Sequence, residues 1–300
     1  MTRVVGKSDA LGGFAVIVAF LVDWRLGVVI GAWLFAWSFN ARLADSGQSM
    51  ADWLVPAIFG LSLLGLWELT VQLIDVPLVI LPAPSDIAAK ISTTTDLLWK
   101  DFIQTFVKGA LSGYFIGCST AVLVAILVDR SPFLQKGVLP VGNFMAALPI
   151  VGTAPIFVMW YGFGWQSKAA VVFTMVFFPV LVNTVAGLKE TTSMQRDLMR
   201  TFASGYWQTL WKLRLPAAMP FVFNGLKIAS TLSLIGAIVA EFFGSPIVGM
   251  GFRISTSVGQ LALDMVWAEI TVAALAGSLF YGAVALMERW VTFWHPSQRR

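Results

Sequence analysis

Charge is scarce in this sequence. Twenty Lys+Arg and 16 Asp+Glu among 300 residues make it 12% charged, about half the ~25% of a soluble domain. That shortage excludes a disordered chain, a DNA-binding domain and an ordinary cytosolic enzyme. Cysteine is represented by Cys118 alone, so neither an intrachain disulfide nor a cysteine-rich metal site can form. Inside its apolar run Cys118 reads as a small buried residue. Histidine is represented by His295 alone, which excludes a two-histidine zinc motif and leaves only a tail residue for a Ser/His/Asp arrangement. Gly6-Lys7-Ser8 matches only the end of a phosphate-binding loop, because Met1 stands where that pattern needs its first glycine. No polar stretch reaches the ~50 residues of a nucleotide-binding domain. We therefore read no ATP site, no metal and no cofactor here, and no nucleic-acid partner.

What is abundant is apolar: 58% of the residues are hydrophobic, with 13 Trp and 23 Phe, and the mean hydropathy is +0.80. The chain reads as an all-α polytopic membrane protein. Apolar runs of ~20 residues mark spans, and the clearest are 53–74, 103–128, 138–160, 169–188, 219–243 and 266–290. Region 11–39 is split by Asp23-Trp24-Arg25 and reads either as one tilted helix with a neutralised Asp/Arg pair or as a shallow hairpin; a cleaved signal peptide fits it poorly. Cationic residues concentrate on the cytoplasmic side of membrane proteins. Connection 189–214 carries Lys189, Arg196, Arg200, Lys212 and Arg214 against Glu190 and Asp197, so it is placed in the cytoplasm. Counting outward, Arg130 with Lys136, and the C-terminus with Arg289, Arg299 and Arg300, fall on the same side. Segments 75–101 and 244–264 then face outside.

The cytoplasmic connection carries the most information. Over 197–210 the spacing predicts one short amphipathic helix, with Leu198, Phe202, Gly205 and Leu210 toward one side and Arg196, Arg200 and Gln208 toward the other. Pro216 and Pro220 are expected to stop that helix and restart the next span. Such a helix either docks into a partner or rests on the membrane as a linker.

This stretch resembles the "EAA" coupling loop of ABC importer permeases of the binding-protein-dependent transport family. Leu213, Leu215 and Pro216 match the end of that pattern. Asp197-Leu198-Met199 fall at its Glu-Ala-Ala, and Ala203 falls at its glycine, which Gly205 replaces by displacement. Leu215 to Pro220, Gly225-Leu226-Lys227, Glu241 and Gly249-x-Gly251 extend the likeness. Leu66-Trp67-Glu68, Leu81-Pro-Ala-Pro-Ser85, Pro149 with Pro155, and Trp160-Tyr161-Gly162-Phe163-Gly164 resemble the nitrate/sulfonate/taurine branch, which includes thiamine-precursor and riboflavin permeases. The resemblance covers roughly 53–290 and excludes 11–39. It implies a MetI-like bundle of about six transmembrane helices over 53–293 with a cytoplasmic tail over 294–300, and leaves 1–45 outside it as an N-terminal hydrophobic extension. It also implies a bacterial inner-membrane permease homodimer, two ABC ATPase subunits below it and an extracytoplasmic substrate-binding protein above. The coupling residues it assigns are Asp197, Arg200, Ala203, Gly205, Trp207, Leu213, Leu215 and Pro216. The chain itself would be non-catalytic, with ATP hydrolysed by the partner.

Within the spans, Gly109, Gly113 and Gly117 form a stripe that suits close helix packing in lipid. Polar residues at membrane depth are costly and point to function. The candidates are Asn143, Thr153, Asn183, Thr184, Ser230, Ser233 and Glu241, and interhelical hydrogen bonding is an equal reading for Asn183 and Thr184. The Pro149–Pro155 stretch should break its span, so a translocation path is expected near 143–156 and 226–241. An ion-coupled secondary transporter is the alternative; Glu68, Lys227, Glu241 and Glu269 could supply its relay, but they are scattered over three helices. A membrane-embedded enzyme lacks the side chains for chemistry.

Overall fold

A computed structural model describes residues 19, 21–44, 51–146, 149–244 and 247–294. Among these residues all regular structure is helical. The helices are α1 (Trp24–Ala44), α2 (Ala51–Ile74), α3 (Pro84–Thr93), α4 (Thr95–Arg130), α5 (Pro132–Ala146), α6 (Ile150–Tyr161), α7 (Trp165–Lys189), α8 (Ser193–Thr201), α9 (Tyr206–Phe243), α10 (Met250–Gly259) and α11 (Leu263–Val291). Six of them, α1, α2, α4, α7, α9 and α11, are long and apolar enough to cross a membrane. Contacts group the described residues into two compact units, one of residues up to 93 with 257–268, the other of 94–256 with 269 onward.

In the first unit α1 packs on α2, with Asn40 donating to the Ser62 hydroxyl at 3.3 Å. Residues 11–18 lie outside the described residues. From Trp24 the segment is a single helix, opened by the Asp23 carboxylate, which accepts from the Arg25 N–H at 2.8 Å. The Arg25 guanidinium pairs with Asp75 at 2.6 Å, so a pair with Asp23 inside one tilted helix is not what forms. The Leu66-Trp67-Glu68 and Leu81-to-Ser85 motifs meet. Glu68 accepts from the Ser85 N–H at 2.9 Å and hydroxyl at 2.6 Å, a carboxylate at the start of α3 where the helix dipole favours it. Trp67 packs on Trp267 with ring centres 4.9 Å apart, and Lys90 pairs with Asp264 at 2.8 Å.

In the second unit α4 packs on α7, and α7 on α9. The glycine stripe makes the first contact possible. A Cβ on Gly113 would lie 2.5 Å from Val172 Cβ and 2.7 Å from the Ala169 carbonyl, and one on Gly117 would lie 2.5 Å from Val176 Cγ2. Small residues therefore bring these backbones together, where lipid offers no hydrophobic force between helices. Gly187 against Ala218 and Gly225 against Val180 serve the α7–α9 contact in the same way.

Two expectations need correction. Region 138–160 is not one continuous helix: the break expected over Pro149–Pro155 falls at its start, where α5 ends at Ala146 and α6 starts at Ile150 after an extended Pro149, φ −68° and ψ 112°. Pro155 lies inside α6 without ending it. Pro216 and Pro220 likewise do not stop a helix, because α9 runs through both. Its Leu210–Arg214 turn has the wider π geometry. Pro216 offers no N–H and its ring crowds the carbonyl four residues back, and a wide turn at that point relieves the crowding.

Candidate functional site

Along α4, positions 101, 105, 109, 113, 117, 121 and 125 are spaced by four and all buried, and the row ends at 129, whose side chain is buried too. Such a row runs obliquely along a helix and fits the groove of a neighbour. Its middle is Gly and Ala; its ends are polar. Each end ties a cluster in the second unit.

At one end, Asp129 meets Arg214. The guanidinium grips the carboxylate through two N–H···O bonds of 2.7 Å, and the Asp129 side chain is 2% exposed. The same guanidinium donates to the Leu188 carbonyl at 2.8 and 3.1 Å. The Tyr206 hydroxyl donates to Asp129 at 3.2 Å. Arg130 lies over the Tyr206 and Trp207 rings, 5.5 and 5.9 Å from their centres. Leu210 is fully buried beneath, against Leu188, Ala218 and Val222. Bidentate Arg–carboxylate pairs are strong and directional, so this end fixes where α9 begins.

The predicted coupling helix over 197–210 is two helices. Thr192 and Gln195 form a reciprocal cap that starts α8. The helix closes with Ser204 N–H to Met199 O at 3.1 Å and Ala203 N–H to Arg200 O at 2.9 Å, the pattern that places the residue after the helix in the left-handed region. Ala203 is that residue, with φ 51°. The backbone therefore explains the family's glycine at this position. Gly205 has an extended backbone, φ −71° and ψ 170°, and opens α9, so it does not take over that turn. Leu198 and Phe202 are exposed while Leu210 is buried, so the apolar side does not include Leu210. Asp197 and Arg200 pair at 3.1 Å on the exposed face of α8. Trp207 lies in the first turn of α9, and Leu213, Leu215 and Pro216 are half-buried.

At the other end, Thr105 donates to the Glu241 carboxylate at 2.8–2.9 Å and accepts from Met250 N–H at 2.8 Å. Glu241 also accepts from Gly251 N–H at 2.8 Å. A Cβ on Gly249, φ 134°, would lie 2.5 Å from that carboxylate, so Gly249-x-Gly251 is a turn wrapped on Glu241. Asp101 accepts from Gly249 N–H at 2.6 Å and from Arg253 at 2.8 Å. Lys168 is 1% exposed and donates to the Phe163 carbonyl at 2.8 Å and to the Gly244 carbonyl. Glu269 is fully buried, and its oxygens lack a hydrogen-bond partner among the described residues.

The other polar candidates are dispersed. Asn183 accepts from Asn224 at 3.0 Å across the α7–α9 contact. Ser230 and Ser233 are fully buried and bond carbonyls of their own helix, as do Thr153 and Thr184. The Asn143 side chain and His295 lie outside the described residues. Asp101, Thr105, Asp129, Lys168, Arg214 and Arg253 were missed by the sequence reading. The four-residue row continued past the glycines was the signal that could have found three of them.

A model of the "Binding-protein-dependent transport system inner membrane component" family matches residues 113–293. The chain is 31% identical over 249 residues to the formylaminopyrimidine transport permease protein ThiX of Halalkalibacterium halodurans, covering 82% of this chain and 97% of that protein. It is 30% identical over 237 residues to the riboflavin transport system permease protein RibX of Chloroflexus aurantiacus, covering 78% and 88%. To the putative aliphatic sulfonates transport permease protein SsuC of Bacillus subtilis it is 25% identical over 255 residues, covering 84% and 91%.

Proposed function

Because the chain belongs to the family of binding-protein-dependent transport system inner membrane components, we propose that it is the transmembrane permease subunit of an ATP-driven importer, working beside a separate motor and a separate binding protein. The observation that carries the motor's place is the exposed apolar surface around the α8–α9 turn. Met194, Leu198, Phe202, Trp207 and Trp211 are each more than half exposed on a segment carrying five cationic side chains. A surface of that kind is a docking face, and it supports Asp197, Arg200, Ala203, Gly205, Trp207, Leu213, Leu215 and Pro216 as the coupling segment. Two ATPase subunits bind here, one per permease of a homodimer, with this segment and the C-terminus in the cytoplasm of a bacterial cell. The extracytoplasmic binding protein docks on the opposite side. The solute is small, an oxyanion of the sulfonate kind or a heteroaromatic vitamin precursor, as the names of the relatives suggest. The path passes Asn143, Thr153, Asn183, Ser230, Ser233 and Glu241 during the cycle.

Ion-coupled transport needs free ionisable relay groups. Of the four relay candidates, Lys227 is paired with Glu288 at 2.7 Å, Glu241 is held by Thr105 and Gly251 and Glu68 by Ser85; Glu269 alone of the four lacks a partner among the described residues, and one such group does not make a relay, so the family match favours the ATP-driven reading. The test is co-purification with a co-expressed ABC ATPase subunit, followed by uptake in proteoliposomes. Phe202→Glu and Gly205→Glu are expected to lose ATPase association and uptake while the permease still inserts. Uphill uptake by the chain alone on an ion gradient would overturn the proposal.

A further inference from the structure

The coupling segment is covalently continuous with α7 and α9 only, yet its strongest side-chain attachment is to α4. We propose that Asp129 and Arg214 form the joint through which displacement of the coupling segment is passed into α4, and that α4 carries it as a rod to the Glu241 cluster at its far end. This deepens the permease reading and rests on it. Asp129 and Arg214 are positioning residues: they touch neither nucleotide nor solute.

Three observations support the joint. First, the contact is directional as well as strong. Two parallel bonds of 2.7 Å to a 2%-exposed carboxylate fix the angle between Arg214 and the end of α4 in a way a single contact does not. The two further bonds to Leu188 O make the same guanidinium hold the end of α7. Second, the α8–α9 turn is clamped to this joint by Tyr206 on Asp129 and by Arg130 over Tyr206 and Trp207. A push on Trp207 therefore reaches Asp129 without passing through a loop. Third, α4 is built to transmit. Its row of small residues is seated on α7 with no room for a Cβ at Gly113 or Gly117, and packed interfaces of that kind move as units rather than bend. From Asp129 to Ser112 the helix is regular and runs roughly 26 Å at about 1.5 Å per residue; Ile103–Leu111, which carries Thr105, continues it in the wider π geometry. At its end Thr105 and Asp101 hold Glu241, Gly249, Met250 and Arg253, so tilting α4 shifts the end of α9 and the start of α10.

The test uses the permease co-purified with its ATPase subunits in nanodiscs, in a Cys118→Ala background. A spin label is placed either at Lys100→Cys, on the exposed far end of α4, or at Trp165→Cys, on the exposed far end of α7. The probe is ATP with vanadate, and the readout is the change in label mobility and accessibility. With Asp129→Asn, the response at position 100 is expected to fall about tenfold while that at position 165 persists, with ATPase association and hydrolysis retained; Asp129→Glu should restore it. An undiminished response at position 100 in Asp129→Asn overturns the joint, and so does equal loss at both positions, which would mean general loosening. If the parent protein binds no ATPase, the permease reading itself fails, an outcome distinguishable from either.

Discussion

Spans α2 and α4 are similarly apolar, yet 6% of the apolar stretch of α2 is buried against 39% of that of α4. Their glycines explain the difference. Gly60 and Gly65 of α2 have no neighbouring heavy atom within 4 Å of an added Cβ, whereas Gly113 and Gly117 of α4 would collide with α7. Apolarity thus specifies that a segment crosses the bilayer, and small residues in a four-residue row specify what it packs against. The sharpest way to break this comparison is Gly113→Leu beside Gly65→Leu. The first overpacks a contact that includes the Ala169 backbone and is expected to cost about 3 kcal/mol or more. The second should stay within about 0.5 kcal/mol. Thermal unfolding in detergent, read by intrinsic Trp fluorescence, checks both; equal losses would remove the distinction.

The same contrast holds for carboxylates. Glu241 is 1% exposed and satisfies Thr105 and the Gly251 N–H, while Glu68 sits half-exposed at the start of α3. Removing a buried acceptor strands its donors, so Glu241→Ala is expected to cost about 3 kcal/mol. Glu68→Ala removes a surface cap and should cost about 1 kcal/mol. The measurement is again unfolding, with Glu241→Gln as the partial rescue, since an amide oxygen can still accept from Thr105 or Gly251.

Much of the fold was legible because the bilayer imposes length and apolarity directly. Runs 53–74, 169–188 and 266–290 correspond to α2, α7 and α11, each within four residues at either end. What escaped were facts about which face a charge occupies. Arg130 reads as a marker of a cytoplasmic connection, and nothing in the order Asp129-Arg130 says that one is buried on Arg214 while the other lies over aromatic rings. Lys168 falls between the apolar runs 138–160 and 169–188, and its acceptors are carbonyls, which every residue has and no sequence displays. Helix 197–210 was misread because a four-residue gap with a left-handed alanine leaves the apolar spacing intact. Alanine carries no turn signal there, where glycine would have.

That alanine gives the smallest and most local prediction. Gly205 and Ala203 stand on either side of Ser204, and the sequence suggested that the family's glycine had moved from one to the other. The dihedral angles separate them: φ is 51° at Ala203 and −71° at Gly205. A Cβ in the left-handed region costs about 1 kcal/mol, so Ala203→Gly is expected to stabilise the end of α8 by that amount, slowing amide exchange at Ser204, whose N–H is held by Met199 O, about fivefold. Gly205→Ala, in extended backbone with nothing within 4 Å of its Cβ, should leave that amide unchanged. If Gly205→Ala instead loosens the turn, the displaced-glycine reading is right. If Ala203→Gly alone tightens it, this chain keeps strain in its coupling segment that a glycine at position 203 would remove.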